Sequence, residues 1–102
     1  MTTPSQCPDA PGAPGGARIV LTRFRFVPSC FTMRASQGFS LHNADEVVHN
    51  LSIPGTLIDL DTRPDMDTNT EAVAGVVRPG TYEFFCKYHR GRGMTGRLRV
   101  LP

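Results

Sequence analysis

From residue 18 onward, apolar side chains fall into short runs, largely with a period of two, at 18–26, 31–34, 39–43, 47–53, 72–77, 81–86 and 94–101. Successive residues of a strand point to opposite faces, so a period of two predicts half-buried β-strands. Gly, Pro, Asn and Asp punctuate the runs, at Pro28, Gly38, residues 43–45, Pro54 with Gly55, and Pro79 with Gly80. No segment keeps a helical period. About seven short strands separated by polar turns predict an all-β fold, an antiparallel Greek-key β-sandwich. Residues 59–70 are the least regular part and are expected to cross between sheets through one short helical turn.

The same parity places individual side chains. Val47, Leu51 and Ile53 share a face with His49, which predicts an inward imidazole. The row Tyr82, Phe84, Cys86 puts a thiol in line with core aromatics, and the row Met94, Leu98, Val100 does the same for a thioether. A buried imidazole without a partner costs roughly 2–7 kcal/mol, a penalty that a metal removes. His89 lies in the loop between Cys86 and Met94, in the spacing Cys-x2-His-x4-Met, where it is the natural edge ligand. Thiolate and thioether are soft donors, and two imidazoles serve both oxidation states of copper. A His2Cys plane with a weak axial Met is the donor set of an electron-transfer copper centre. Cys and Met are common core residues, but that reading leaves the order and spacing of all four donors unexplained.

Three stretches extend the pattern beyond the donors: Asn43-Ala44-Asp45-Glu46-Val47-Val48-His49-Asn50, then Arg78-Pro79-Gly80-Thr81-Tyr82-Glu83-Phe84-Phe85-Cys86, then Lys87-Tyr88-His89 with Gly93-Met94-Thr95-Gly96 and a closing Leu98-Arg99-Val100. Over residues 17–102 the chain resembles the cupredoxins, the small blue copper proteins, and most closely their plastocyanin-like branch. The resemblance implies one type 1 copper ion, cycling between Cu(I) and Cu(II), on His49, Cys86, His89 and Met94. It implies that Asn50 ties the two ligand loops together near the Cys86 sulfur. It implies a one-electron carrier rather than an enzyme; copper storage or delivery, with Met33, Met66 and the Met1 tail as weak extra ligands, is the alternative. One departure bears on the partner. Plastocyanin-like sequences keep the loop between the downstream ligands small and uncharged, whereas here it carries Lys87, Arg90 and Arg92.

Those three cations, in a chain of net charge +2, predict docking to a redox protein with an acidic surface. Arg97 and Arg99 are expected to face outward on the last strand. Nucleic acid is not expected, since the aromatics lie in strand-core parity and not on a basic face. An enzyme using Cys86 as nucleophile and His89 as base lacks a third orienting group. Multi-copper oxidation needs more than the three histidines present.

A length of 102 residues suits one core and a monomer. Residues 1–16 are rich in Pro and Gly and too poor in apolar side chains to offset their ordering entropy, so a flexible tether ahead of a 17–102 copper domain is expected. No run is apolar and long enough for a signal peptide or a membrane span. A tether ahead of a copper domain nevertheless suggests a precursor with an export signal or anchor, and a periplasmic or other extracytoplasmic location. Cys7 and Cys30 then form a disulfide, or stand as a thiol on the tail and a strand cysteine; spacing leaves both open. His42 is expected at the surface. The acidic run from Asp59 to Glu71 fails as a calcium loop, because Thr70 stands at the turn glycine and Val76 at the bidentate glutamate. Asn50-Leu51-Ser52 matches a glycosylation acceptor, but its place beside a ligand argues against use.

Overall fold

The computed structural model describes residues 7–10, 12–13 and 16–102. The apolar run 18–26 does not form one strand. It breaks into β2 (Gly16–Thr22) and β3 (Arg25–Val27), because Arg23 and Phe24 take positive φ angles of 53° and 58°. Two consecutive left-handed residues are the signature of a tight hairpin turn whose twist matches the flanking strands. β1 (Gly12–Ala13) pairs with the start of β2, along the same edge as β3. β5 (Gly38–Asn43) lies parallel to β2, and β8 (Asp67–Asn69) closes the first sheet antiparallel to β5.

The second sheet runs in the order β4 (Cys30–Arg34), β10 (Thr95–Leu101), β9 (Gly80–Phe85), β6 (His49–Ser52) and β7 (Asp59–Thr62). β4 and β10 are parallel and the remaining neighbours antiparallel. The all-β sandwich expected from the alternation is therefore present, with two parallel pairings inside it.

Between the sheets lie Ile19, Leu21, Phe31, Phe39, Leu41, Leu51, Phe84 and Leu98, all at most 1% exposed. Each such side chain contributes about 1.5–3 kcal/mol on burial. Phe84 meets Phe26 edge to face at 4.7 Å between centroids and Phe31 at 5.6 Å. Gly96 permits this packing, since a Cβ there would run into the Phe84 ring and the Ser29 carbonyl.

Three segments depart from the pattern reading. Residues 72–77 form a 3-10 turn at Val73–Gly75, not a strand. Val73 and Val77 are its buried residues, and a spacing of four is that of a helical turn, which the apolar run concealed. Residues 59–70 do cross between sheets, but as β7 and β8, with no helical turn. Both are edge strands carrying Asp59, Asp61, Asp67 and Asn69 in exposed positions. Charged edges resist pairing with other chains, and here they also mask the strand signal. Val47 and Val48 precede β6 and are 40% and 38% exposed, while all four residues of β6 are buried.

Of the segment expected to be a tether, residues 7–10 are fastened to the body. Cys7 is joined to Cys30 by a disulfide, with Cα atoms 5.1 Å apart. The Thr32 amide donates to the Pro8 carbonyl at 2.8 Å, the Ala10 amide to the Thr32 carbonyl at 3.0 Å, and the Thr32 hydroxyl to the Cys7 carbonyl at 2.7 Å. This short parallel bridge covers the outer edge of β4. Residues 1–6, 11, 14 and 15 lie outside the described residues.

Candidate metal centre

The loop after β9 folds back on itself. The Cys86 amide donates to the Met94 carbonyl at 3.0 Å, closing the loop at its base. Within it the His89 amide donates to the Cys86 carbonyl at 3.1 Å and the Arg92 amide to the His89 carbonyl at 2.9 Å. Gly93 ends the turn at φ 77°, a left-handed conformation that glycine takes without the Cβ penalty. Cys86 and Met94 are fully buried, as their parity predicted, and His89 is half-buried. The His89 Nδ1 atom stands 3.3 Å from the Cys86 sulfur.

His49 approaches from the first residue of β6 and is also fully buried. Its imidazole lies 5.0 Å from that of His89, centroid to centroid. Metal-ligating atoms of His49, Cys86 and His89 all lie within 4.8 Å of one another. The Nε2 atom of His49 sits 2.6 Å from Asp45 Oδ2. An acidic acceptor at Nε2 places the proton there and leaves a lone pair on Nδ1. Among the described residues, His49 Nδ1 is the one buried side-chain polar atom with no hydrogen-bond partner. A native interior rarely tolerates such an atom unless something else binds it. An orphaned imidazole nitrogen, a second imidazole and a thiol at this range fit a soft or borderline metal ion, copper among them.

The surroundings of His49 come from distant parts of the chain. Asp45 accepts the backbone N–H groups of Arg23 at 2.8 Å and Phe24 at 3.0 Å. Burial raises its pKa, but the hydrogen bonds from Phe24, His49 and Arg23 outweigh burial and hold the carboxyl below the usual carboxylate range. The Phe24 ring stands edge to face on both imidazoles, at 5.4 Å from His49 and 4.9 Å from His89. The Arg92 guanidinium covers that ring at 4.0 Å from its centroid. Burial, then the charges of His49 and Arg92, lower the pKa of His89.

Asn50 is fully buried and points into a second network. Its Nδ2 donates to Asp59 at 2.7 Å and Asp61 at 2.8 Å, and its Oδ1 accepts the Ser52 hydroxyl at 2.5 Å and the Lys87 amide at 3.2 Å. The last bond joins β6 to the loop that follows Cys86. With both ends of its amide engaged, Asn50 is no accessible glycosylation site.

The sequence matches the family described as "Cupredoxin-like domain" over residues 3–100. The chain belongs to the cupredoxin-like family. Within that family it is 30% identical over 90 residues to the plastocyanin of Dryopteris crassirhizoma, an alignment covering 76% of this chain and 88% of that one. A structure of a mutant fern plastocyanin superposes with a TM-score of 0.62 at 22% identity, over 83% of this chain and 100% of the other. A copper-containing nitrite reductase from Thermus scotoductus shares the cupredoxin fold at a TM-score of 0.68 and 18% identity, over 93% of this chain but 25% of that one.

The cations expected around the loop divide in two. Lys87 Nζ is 3.1 Å from the Asp59 carboxylate and 3.9 Å from Asp61, so its charge is matched on the spot. The hydrogen bond to Asp59 raises the Lys87 pKa, while bonds from Asn50 and then Lys87 lower that of Asp59. Tyr88 donates to Asp61 at 2.7 Å. Arg90 and Arg92 lie over the Phe85 and Phe24 rings and remain exposed. His42 is partly exposed and bonded to Asp67 at 2.6 Å, outside the metal cluster. Pattern reading missed Asp45, Phe24, Asp59 and Asp61 as supports of the site. Asp45 stands four residues before His49, but in a loop that spacing defines no common face.

Proposed function

We propose that this protein is a one-electron carrier whose type 1 copper is held by His49, Cys86 and His89, with Met94 as the weak axial donor. The observation that carries this reading is the Nδ1 of His49, among the described residues the one buried side-chain polar atom without a hydrogen-bond partner, on a ring clustered with Cys86 and His89. Copper bound there supplies a single reversible electron. The chain's own part is to keep the donors still: the Cys86 to Met94 clasp, the Asn50 network and the Phe24 ring hold them in one arrangement for both oxidation states. With four protein donors, no coordination position remains for a substrate, which argues against an enzymatic role.

His89 is the partly exposed ligand and so the route by which an electron enters or leaves. Arg90 and Arg92 beside it favour a redox partner with an acidic docking surface; Lys87, already paired, adds little. The Cys7 to Cys30 disulfide supports an extracytoplasmic, oxidising compartment, in keeping with a periplasmic protein. Storage or delivery gains no support from Met33, a core side chain 1% exposed.

Voltammetry of the copper-loaded protein tests the reading, together with a mild Cu(I) chelator. A carrier gives a reversible one-electron wave and keeps its copper; prompt loss of metal to the chelator would favour delivery. Met94→Leu should raise the potential by removing a donor that Cu(II) needs more than Cu(I), and Met94→Gln, with a harder oxygen, should lower it. If neither variant moves the potential, Met94 is a core residue and the copper is three-coordinate.

A further inference from the structure

Among the described residues, Asp45 is the one side chain that touches a proposed ligand through a formal charge, and its own position is fixed from four directions. Its Oδ2 lies 2.6 Å from His49 Nε2, in the range of a charge-assisted hydrogen bond. The carboxylate also accepts the Arg23 and Phe24 amides, and the Asp45 amide donates to Asn43 Oδ1 at 2.9 Å. Asn43 is itself buried, its Nδ2 bonded to the carbonyls of Val47 and Thr62 at 2.8 Å each. Asp45 therefore cannot swing away from the imidazole without releasing the β2–β3 turn that carries Phe24.

We infer that Asp45 is a positioning residue that lowers the copper potential: by accepting the Nε2–H of His49 it orients the ring and makes Nδ1 a stronger donor. This rests on the copper reading above. An imidazole whose second N–H is given to a carboxylate gains basicity, and the stronger donor favours Cu(II), the ion with the greater need for electron density. The nearby negative charge acts in the same direction, since Cu(II) carries one more positive charge than Cu(I). Arg92, on the outer side of the Phe24 ring, acts oppositely and favours Cu(I). One carboxylate thus joins a ligand on the second sheet to a hairpin turn of the first, coupling the shield over both imidazoles to the electronic character of one of them.

The test compares the wild-type protein with Asp45→Asn and Asp45→Glu, each loaded with copper. Asp45→Asn keeps an oxygen acceptor but loses the charge, and the preference for Cu(II) over Cu(I) should fall by about 10-fold, which for one electron is a rise of about 59 mV. The visible charge-transfer band should persist, and Asp45→Glu should recover part of the shift. A melting temperature that drops while the potential stays put would reduce Asp45 to a structural clamp and overturn the inference, as would a fall in potential. Should Asp45→Asn fail to fold, nitrogen-detected NMR of the wild-type histidines decides: the His49 proton must sit on Nε2, and a proton on Nδ1 overturns the inference. Absence of an intense band from the copper-loaded wild-type protein would instead sink the copper reading itself, an outcome separate from a band with an unmoved potential.

Discussion

His49 enters the proposed copper site on a strand whose supports are scattered over the chain, whereas Cys86, His89 and the proposed axial donor Met94 belong to a single loop that supports itself. The loop is closed by its own backbone, from the Cys86 amide to the Met94 carbonyl. His49 relies on Asp45, the Arg23 and Phe24 turn, and through its neighbour Asn50 on Asp59 and Asp61 of β7. Labour is divided between the two sides. The loop brings the proposed soft donors and, in His89, the partly exposed edge of the cluster. The strand side brings a buried imidazole held by Asp45, and the Lys87 amide bonded to Asn50 is where the two halves lock.

The largest effect expected from breaking this arrangement comes from the loop. Cys86→Ser should abolish the intense visible band while leaving a folded sandwich, because the thiolate supplies the colour and other side chains build the core. Circular dichroism with an absorption spectrum checks both halves of that statement. Full colour in the variant would assign the thiolate elsewhere.

Cutting the Cys7 to Cys30 disulfide, which spans 23 residues of sequence, should cost about 3 kcal/mol by loop-closure entropy and spare both halves of the centre. Denaturant melts of the Cys7→Ser, Cys30→Ser double variant should show reduced stability beside an unaltered spectrum. A changed spectrum would mean that the edge of β4 helps to shape the site.

On the strand side, Asn50→Ala strips partners from Ser52, Asp59 and the Lys87 amide at once. Ser52 and Asp59 keep each other as partners and Asp59 faces water, so the loss is about 0.5–1.5 kcal/mol for each hydrogen bond removed. Copper should still bind, with a broadened or shifted band as the two halves unlock. An unchanged melting point would show that the halves are held together by packing alone.

The smallest effect belongs to the rim. Reversing charge at Arg90 and Arg92 should slow electron transfer to an acidic partner at low salt and flatten its salt dependence, with the potential little altered. Lys87→Ala should change the rate less, since Asp59 and Asp61 already match that charge. Stopped-flow kinetics across ionic strengths separates the two; equal effects would contradict the distinction drawn between paired and unpaired cations.

The same comparison explains what could be read from the chain. The clustering of Cys86 with His89 was legible because the two are close in sequence and their chemistry is diagnostic at that spacing. The inward placement of His49 was legible from Leu51 and Ile53, although Val47, used in the same row, turned out to be exposed. The supports of His49 were not, since Asp45, Phe24, Asp59 and Asp61 meet only through tertiary structure. Charge also misled. The aspartates of β7 and β8 look like loop residues because they face water from sheet edges, and Lys87 looks like a docking cation until Asp59 is seen beside it. In residues 72–77 an apolar run concealed a turn, for alternation and a four-residue spacing cannot be told apart in so short a segment.

Titration of the metal-free protein with Cu(II), followed by visible absorption, tests the central claim most directly. An intense visible band is expected, from charge transfer between the Cys86 thiolate and copper, that grows linearly and stops at one equivalent. A colourless adduct, or a band that does not saturate at one ion per chain, would contradict a type 1 centre built on His49, Cys86, His89 and Met94.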